Sequence, residues 1–538
     1  MTSSRPHSRV DKVKKLNAIG IALSAERSHS ALLRAILQSA RELTQADAGS
    51  LYLVNAATQT LSFAFIQNES LQLDVNCAVA ERGAQFPDIP LYLESGQAND
   101  NMVVVQSVLT ATTVRVDDVY NNHQFDFSGT KAFDGRTGYR SQAFLTVPMR
   151  NHEGDVIGAL QLINKKVDDV VTHFDDDDCE LTESLASQGA VALTNQNLIT
   201  ELHQLFDRFT EVIATAIDAK SPSTGAHCRR VPDATMMIAK AASGAEFPGL
   251  EEFTLSPADE YELRIASWLH DCGKIITPHH VMEKSTKLET VRDGIDAVCE
   301  RLQLAAKDLE LQWFRQDPSA RQPRPELDAQ LAAMHATEDF LRKVNIGGEF
   351  LSDSDIARIE ELAGLTWTDS AGQIRPVITA EECQNLCIRR GTLNAEERKI
   401  MEDHMVHTVA MLEKLPFPKH LQRVPEYACG HHERMDGRGY PRGLTRDQMS
   451  IPARMMGVAD VFEALTAHER PYKKPMPLSQ ALGIMKGMVE NYHLDPDIFA
   501  LFVSKKVYLD YAKKHLKAEQ LDSVDEDALL HYNFREKG

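Results

Sequence analysis

The C-terminal half of this 538-residue sequence contains histidines and aspartates of the kind that bind metal ions. In chain order they are His227, His270, Asp271, His404, His431, His432 and Asp460. Imidazole nitrogens combined with carboxylate oxygens suit iron, manganese or zinc better than magnesium or calcium. A single histidine is more often a surface or core residue, and the chain has 20 of them. The prediction of a metal site therefore rests on the whole set.

The adjacent pair His270-Asp271 stands near the end of a predicted helix. One ligand of the pair can point at each of two ions, and the Asp271 carboxylate can bridge them. Two ions about 3.5–4 Å apart can activate a water and stabilise both the attacking and the leaving oxygen of a phosphodiester displacement. Lys274 follows one helical turn after His270 and supplies a cation for a phosphate. These spacings predict that Asp271 and Lys274 are catalytic residues.

A tight loop is predicted directly after the histidine pair. Gly437 and Gly439 permit unusual backbone angles, and Pro441 restricts the chain that follows. A loop of this kind beside paired ligands is typical of a wall that shapes a substrate site.

In these residues the sequence resembles the bacterial HD-GYP family of cyclic dinucleotide phosphodiesterases. The matching segments occur in family order over about residues 210–490. They are AIDAK (216–220), LHDCGKI (269–275), KIMEDH (399–404), HHERMDGRGYPRGL (431–444), IPARMMGVADVFEAL (451–465) and RPYKK (470–474).

The resemblance implies an all-α helical bundle that hydrolyses cyclic di-GMP, or the related cyclic GMP-AMP, to the linear dinucleotide and onward to mononucleotides. It gives the metal roles to the seven residues named above. It implies phosphate contacts from Lys274, Arg470 and Lys473. The substrate loop that it implies contains Asp436, Arg438, Gly439, Tyr440 and Pro441.

The sequence departs from the family pattern at three places. Ser223 stands where some members have a glutamate for a third metal, so two divalent ions, iron or manganese, are expected. Glu463 replaces an aspartate of the family motif but keeps its charge, so little loss is expected. An insertion at 289–390 is a docked helical hairpin, a lid or a dimer contact. The neighbouring pair His279-His280 is interpreted as surface residues rather than further ligands.

The N-terminal half has alternating helix and strand patterns. Residues 31–44 have helical periodicity, 49–54 read as a strand, and 142–149 with 156–164 predict an antiparallel hairpin. The segment 133–165 resembles a GAF domain, which implies an α+β fold with a central antiparallel sheet. Such a domain is either a ligand-binding sensor or a dimerisation module.

Two sequence features bear on a ligand for that domain. Asn164-Lys165 with Phe174 and Asp178 is similar to a signature of cyclic-nucleotide-binding members, but Cys179 replaces the final glutamate. Cys77 is either a contact for an unknown ligand or a packed core residue.

The two halves are joined by a segment with the a/d spacing of a coiled coil. It predicts a helix that either forms a homodimer together with the GAF domain or lies as an amphipathic helix on its own domain. Its seam residues are Leu198, Leu202, Leu205, Phe209, Val212 and Ala216. The predicted organisation is a flexible segment (1–19), a GAF domain (20–180), a connecting helix (181–216), an HD-GYP domain (217–510) and a tail (511–538).

Composition restricts the remaining classes of function. The net charge of −20 excludes a surface that coats nucleic-acid polymers. No apolar run is long enough to span a membrane. The eight cysteines are scattered, which favours a reducing cytoplasm.

Two alternatives to the enzyme stay open. One is a non-catalytic receptor or adaptor that binds the cyclic dinucleotide, or a diguanylate cyclase, through the loop at 436–441. The other is an HD enzyme acting on nucleoside triphosphates or (p)ppGpp, which the loop and the histidine pair disfavour.

Overall fold

The computed structural model describes residues 9–77, 86–220, 227–316, 325–348, 350–467 and 475–534. The chain divides into two compact units, Met1–Leu205 and Phe206–Gly538. Separate clusters of buried apolar side chains fill the two units.

The first unit begins with two helices, α1 (Arg9–Ala25) and α2 (His29–Thr44). The Ser28 side chain accepts a hydrogen bond from the backbone of Ala31, which caps the start of α2. Apolar residues at helical spacing give α2 one buried face, and Ile36 and Leu37 on that face are fully buried.

An antiparallel sheet follows. Its strands are β1 (Ala46–Asn55), β2 (Thr60–Asn68), β3 (Leu73–Asn76), β4 (Ile89–Pro90), β5 (Val114–Val116), β6 (Phe144–Arg150), β7 (Val156–Val167) and β8 (Val170–Thr172). The main order is β3-β2-β1-β7-β6-β5, with β4 on β2 and β8 on β7. The strands β6 and β7 pair as a hairpin, which confirms the sequence prediction for this segment and for a central antiparallel sheet.

Helices α3 (Val103–Thr110) and α4 (Ser128–Thr137) lie between strands of this sheet in the sequence. Val104 and Val105 of α3 are buried in a cluster with Tyr52 and Ala159 of the sheet. Phe127 and Phe144 meet edge to face in a second cluster. Aromatic pairs in this geometry add stabilisation beyond the area that they bury.

Helix α5 (Asp176–Lys220) is continuous over 45 residues and includes the predicted connector. Five of the six predicted seam side chains are large apolar groups with about half or more of their surface exposed. They are Leu198, Leu202, Leu205, Phe209 and Val212.

The second unit is mainly helical. Its helices are α6 (His227–Ala242), α7 (Pro257–Leu269), α8 (His279–Met282), α9 (Ile295–Gln316), α10 (Pro325–Asn345), α11 (Asp353–Leu362), α12 (Ala380–Leu386), α13 (Ala395–Glu402), α14 (His404–Leu412), α15 (Val424–Cys429), α16 (Ile451–Thr466), α17 (Leu478–Glu490), α18 (Pro496–Ser504), α19 (Val507–His515) and α20 (Glu526–Leu530). Short 3₁₀ turns connect some of them, including Cys272–Ile275 after α7.

The insertion has its own small core. Helices α9 and α10 pack against each other, as the sequence indicates, and a two-stranded sheet of β9 (Thr366–Thr368) and β10 (Ile374–Pro376) follows. Val298, Leu341 and Ile359 are fully buried between these elements.

Two buried lysines lie at the base of the insertion. The Lys284 ammonium contacts both carboxylate oxygens of Glu397 at 2.7 and 2.8 Å. The Lys287 ammonium donates to the carbonyl of Leu386 at 2.8 Å, and burial lowers the pKa of Lys287 to about 8. The two ends of the insertion are therefore joined by polar contacts.

The predicted limits differ from the structure at both ends of the chain. Helix α1 begins at Arg9, and its Leu16 and Leu23 are buried because they pack into the first core. At the other end, Tyr511 is fully buried and contacts Phe462 of α16. Apolar side chains at both ends therefore belong to the folded units.

Within the described residues, every helix is too short or too polar to cross a lipid bilayer.

Candidate metal centre

The predicted ligands come from different elements of the helical unit. His227 and His404 are the first residues of α6 and α14, and Asp460 lies within α16. His270-Asp271 follows α7, and His431-His432 follows α15. His270, Asp271 and His404 retain at most 2% of their surface exposed. The fold thus brings together side chains that are more than 200 residues apart in sequence.

Asp271 lies at the centre of this cluster, and its two carboxylate oxygens face different histidines. Oδ2 is 3.2 Å from His270 Nε2 and 3.4 Å from His227 Nε2. Oδ1 is 3.3 Å from His404 Nε2 and 3.9 Å from His431 Nε2. Potential ligand atoms form two groups that share only Asp271, with His432 in the second group. This is the geometry that a bridging carboxylate requires.

Asp460 lies beside the first group. Its Oδ1 lies 3.2 Å from His227 Nε2 and 3.9 Å from His270 Nε2. A second carboxylate beside Asp271 brings two negative charges into a buried site. Such a site is stable only with compensating positive charge.

Three of the histidines are oriented in the same way. The Nδ1 atoms of His270, His404 and His431 each lie 2.5 to 2.7 Å from the carbonyl oxygen three residues earlier in the chain. A carbonyl only accepts hydrogen bonds, so Nδ1 carries the proton. A ring held in this way directs Nε2 toward the cluster, which is the orientation that a metal ligand needs.

Buried atoms of the cluster that lack hydrogen bonds within the described chain also indicate a site for divalent ions. His404 Nε2, His431 Nε2 and Asp271 Oδ1 are buried atoms without a hydrogen-bond partner among the described residues. Two imidazole lone pairs and a carboxylate oxygen directed at one another repel, and a cation between them removes the repulsion. This donor set matches the nitrogen and oxygen ligands of iron, manganese and zinc.

Comparisons with known proteins agree with this fold. A family description of the HD domain matches residues 379–498, and one of the GAF domain matches residues 28–193. The chain contains a GAF domain and an HD domain. This confirms the predicted combination of the two domains and their fold classes.

Several curated relatives are similar to the HD part of the chain. A 3'3'-cGAMP-specific phosphodiesterase of Vibrio cholerae is 43% identical over 112 residues, which are 20% of this chain and 23% of that protein. A cyclic di-GMP phosphodiesterase of Pseudomonas aeruginosa is 49% identical over 81 residues, 15% of this chain and 19% of that protein. The chain thus matches about a fifth of the length of these relatives.

Solved structures similar to part of the chain include a free methionine-R-sulfoxide reductase of Neisseria meningitidis, at 18% identity and a TM-score of 0.27. The match covers 37% of this chain and 98% of that one. A GAF domain/HD domain protein of Geobacter sulfurreducens matches at 15% identity and a TM-score of 0.24, over 33% of this chain and 98% of that one.

Glu463 of the HD domain has a role that sequence reasoning undervalued. One of its carboxylate oxygens contacts Nδ1 of His227, and the other accepts from Nε of Arg230 at 2.7 Å. His227 is thus held by a side-chain carboxylate where the other three rings are held by carbonyls. Carboxylates in this position orient the ring and raise the basicity of a metal ligand. The sequence motif indicates this role, because Glu463 keeps the negative charge of the aspartate that is usual at this position.

Burial and neighbouring charges shift the pKa values of the histidines and carboxylates of the cluster. Burial lowers the pKa of His431 to about 4 and that of His432 well below its usual value, and neighbouring histidines add to both shifts. These rings are therefore neutral at physiological pH. Burial alone would raise the pKa values of Asp271 and Asp460, but neighbouring cationic groups and histidines hold both well below the ordinary range.

Lys274 and Gly273, which follow Asp271 closely in the chain, determine which groups lie next to it. The Lys274 ammonium contacts Asp271 Oδ2 at 2.5 Å, so the predicted phosphate ligand lies beside the predicted bridging group. Gly273 packs against α14: a Cβ atom there would lie 2.0 Å from the carbonyl oxygen of His404. Only glycine allows this approach, which keeps His404 close to Asp271.

The loop after the histidine pair is organised by its own charged residues. Glu433 is buried and accepts hydrogen bonds from the backbone of Arg442 and Leu444 at 2.7 and 2.9 Å. Asp436 pairs with Arg434 through both oxygens at 3.1 and 3.0 Å. Asp436, one of the predicted substrate residues, is therefore engaged in shaping the loop.

The remaining loop residues lie nearer the site. The Tyr440 ring stacks on His432 with centroids 4.9 Å apart. A Cβ atom at Gly439 would lie 2.4 Å from the backbone nitrogen of Arg434, so the loop needs glycine there. The side chain of Arg438 is exposed. The contact of Tyr440 with a candidate ligand supports the predicted position of the loop, including Pro441, beside the metal cluster.

Several predicted residues are not in the cluster. Arg470, Lys473 and Ser223 lie outside the described residues. His279 and His280 are exposed in α8, and the potential ligand groups of the described part of the chain do not include them.

In the GAF domain, the residues of the partial signature make structural contacts. Asn164 has a positive φ of 58°, and its side-chain oxygen accepts from the backbone of Gln142 at 2.7 Å and of Ala143 at 3.2 Å. The Lys165 ammonium contacts Asp175 at 2.8 Å and also the buried Asp178. These bonds join neighbouring segments of the domain. Cys77 is buried and lines a cavity with Phe63, Phe86 and His29.

Proposed function

We propose that the protein is a metal-dependent phosphodiesterase that hydrolyses a cyclic dinucleotide, cyclic di-GMP or 3'3'-cyclic GMP-AMP. The observation that carries this proposal is the position of Asp271, whose two carboxylate oxygens face two separate groups of histidines. The HD-domain relatives are phosphodiesterases of 3'3'-cGAMP or of cyclic di-GMP, which supports the substrate class, and experiment decides between the two.

The proposed site holds two divalent ions, iron or manganese. His227, His270, Asp271 and Asp460 surround one position, and Asp271 with His404, His431 and His432 surrounds the other. Ions bound there would activate a water and neutralise charge on the phosphodiester. The protein contributes imidazoles whose Nδ1 atoms are held by hydrogen bonds, and it excludes bulk water by burying them.

Other residues would act on the substrate directly. The Lys274 ammonium, held beside Asp271, would contact a phosphate oxygen and stabilise charge that develops as the bond breaks. Arg470 and Lys473 are proposed as further phosphate contacts on the basis of the family motif. Tyr440, stacked on His432, and the neighbouring loop residues Arg438, Gly439 and Pro441 would bound the space for a base or ribose.

A non-catalytic receptor is the second candidate. It would bind the dinucleotide, or a diguanylate cyclase, through the loop around the exposed Arg438. The complete set of converging histidines and carboxylates counts against it, because binding alone does not require buried imidazole lone pairs directed at one another.

We further propose that the protein is a homodimer through α5 and that the GAF domain regulates the HD domain. The exposed seam of α5 has heptad spacing, and a second copy of the same helix would bury it. Replacing Leu205 with Lys should shift the sedimentation coefficient to that of a monomer. The same change at the adjacent Gln204, outside the seam, should leave it unaltered. A monomeric wild-type protein would refute the dimer.

A cytoplasmic location is proposed from the chemistry of the chain. All eight cysteines are unpaired, which suits a reducing compartment.

The decisive experiment compares both substrates on metal-replete protein. The protein is purified anaerobically, its iron, manganese and zinc are quantified, and cyclic di-GMP and 3'3'-cyclic GMP-AMP are assayed side by side. Products are separated to distinguish linear dinucleotide from mononucleotide. We expect turnover of at least one substrate, and turnover of neither would refute the enzyme.

Matched histidine variants serve as controls for this experiment. His404→Ala removes a candidate ligand and should lower both metal content and turnover. His280→Ala removes an exposed histidine outside the cluster and should change neither. Equal loss in both variants would contradict the assignment of the site.

A further inference from the structure

The last residue of α5 contacts the chain segment that follows Asp271. The Lys220 ammonium donates hydrogen bonds to the carbonyl oxygens of Lys274 at 3.3 Å, of Thr277 at 2.6 Å and of Ile275. One cationic group therefore joins the end of α5 to three carbonyls of the segment 274–277. All of these residues belong to the second unit.

The position of these carbonyls explains why a lysine is suited to them. Two of these carbonyls, those of Lys274 and Ile275, belong to the short 3₁₀ helix Cys272–Ile275, and carbonyls at the end of a helix lack partners within it. They also carry partial negative charge, which a cation stabilises. A lysine ammonium has three donors and no acceptor, so it can bond all three oxygens at once.

A neighbouring residue of α5 contacts the other side of the cluster. Asp218 is buried and interacts with both the thiol and the backbone N–H of Cys228, the residue after His227. The last turn of α5 therefore touches both chain segments that bear His227 and Asp271.

We propose that Lys220 is a positioning residue for catalysis. It fixes the backbone of residues 274–277 and thereby holds the Lys274 ammonium beside Asp271. This inference rests on the proposed phosphodiesterase activity. Because α5 is one continuous helix from Asp176 to Lys220, a displacement of that helix would reach Lys274 through this contact.

Three variants test the role of Lys220. Lys220→Met keeps the length of the side chain but removes its charge and donors. Lys220→Arg retains a cation that can donate to carbonyls. Lys513→Met is the matched control, because Lys513 is an exposed lysine of the same unit whose ammonium lies 3.7 Å from Asp510.

We expect kcat of Lys220→Met to fall about 10-fold, with KM and bound metal nearly unchanged, because small displacements of a group that acts on the reacting phosphate are costly. Lys220→Arg should recover most of that loss, and Lys513→Met should behave as wild type. A kcat of Lys220→Met within about twofold of wild type would overturn the inference. Equal losses in the Met and Arg variants would overturn it as well.

Hydrogen exchange gives a readout that does not depend on turnover. Amides of residues 274–277 should exchange faster in Lys220→Met, while amides of the buried helix α18 should not change. Unchanged exchange at 274–277, or faster exchange throughout the unit, would overturn the proposed positioning role. If the wild-type protein hydrolyses neither substrate, the proposed function fails, and this exchange measurement still decides whether Lys220 holds the turn.

Discussion

Asp47 of the GAF domain and Asp271 of the HD domain are both almost completely buried, yet their surroundings differ. Donors meet both oxygens of Asp47: Lys166 at 2.6 Å and Ser70 at 2.9 Å on one, and Tyr139 at 2.7 Å on the other. For Asp271, one oxygen meets Lys274, and the other faces imidazole nitrogens and lacks a donor within the described chain.

The difference in surroundings follows from which groups form hydrogen bonds with the histidine Nδ1 atoms. In the HD domain the Nδ1 atoms of His404 and His431 are held by backbone carbonyls, so their Nε2 atoms face Asp271 Oδ1. In the GAF domain an ammonium and two hydroxyls surround Asp47. A buried carboxylate among donors stabilises a fold, whereas one among acceptors is suited to a cation. Four measurements test this contrast.

The largest effect is expected from removing the carboxylate that faces both histidine groups. Asp271→Ala should lower activity by more than about 100-fold and reduce bound metal at the same time, because even outer partners of metal ligands cost 10- to 100-fold. Turnover and elemental analysis check this outcome. Asp510→Ala, at an exposed aspartate of the same unit, is the control and should change neither. Retained activity in Asp271→Ala would refute the site assignment.

A smaller effect is expected from Glu463→Gln. The substitution keeps the size of the side chain but removes the charge that acts on His227 and Arg230. Metal affinity or activity should fall by about 10- to 100-fold, as for other residues that orient a metal ligand. Titration of metal-free protein with Mn²⁺ measures the change, and Glu519→Gln at an exposed position is the control. An unchanged affinity would assign Glu463 a purely structural role.

Gly273→Ala tests the packing that brings His404 to Asp271. The added Cβ would lie 2.0 Å from the His404 carbonyl oxygen, so α14 must move, and we expect a loss of about 1–3 kcal/mol in the free energy of unfolding. The control, Gly483→Ala, adds a methyl group in α17 with no other group within 4 Å and should stabilise by about 0.5–1 kcal/mol.

Tryptophan fluorescence during urea unfolding measures both glycine variants, since Trp268, Trp313 and Trp367 all lie in the second unit. A Gly273→Ala protein as stable as wild type would show that α14 adjusts without cost.

The smallest effect is a pH dependence of the GAF domain. Burial opposes ionisation of Asp47, but hydrogen bonds from Lys166, Tyr139 and Ser70 outweigh it and lower the pKa of Asp47. The folded pKa is below the unfolded one, so this stabilisation is present above about pH 4 and is lost as pH falls through the folded pKa.

Calorimetric unfolding between pH 3 and 6 checks this expectation. The midpoint of the GAF transition should fall less steeply with decreasing pH in Asp47→Asn than in wild type, while Asp100→Asn, at an exposed aspartate, should follow wild type. Identical slopes for Asp47→Asn and wild type would contradict the contribution of Asp47.

Much of the fold was predictable because the deciding signals are local. The heptad spacing from Leu198 to Ala216 predicted a helix, and α5 contains it. The alternating runs at 142–149 and 156–164 predicted the hairpin of β6 and β7. The spacing did not indicate that α5 extends to Lys220 or that Lys220 caps the turn at 274–277, because that contact joins residues more than 50 positions apart.

The sequence by itself determined the kind of chemistry at the candidate site: imidazoles and carboxylates in a particular order, with a glycine-rich loop after the histidine pair. The tertiary structure decided how they meet. It placed the two oxygens of Asp271 between separate histidine groups and Glu463 on the ring of His227, 236 residues away in the chain. Residue types and spacings are local properties, whereas the direction in which a buried side chain points depends on the packing of helices distant in sequence.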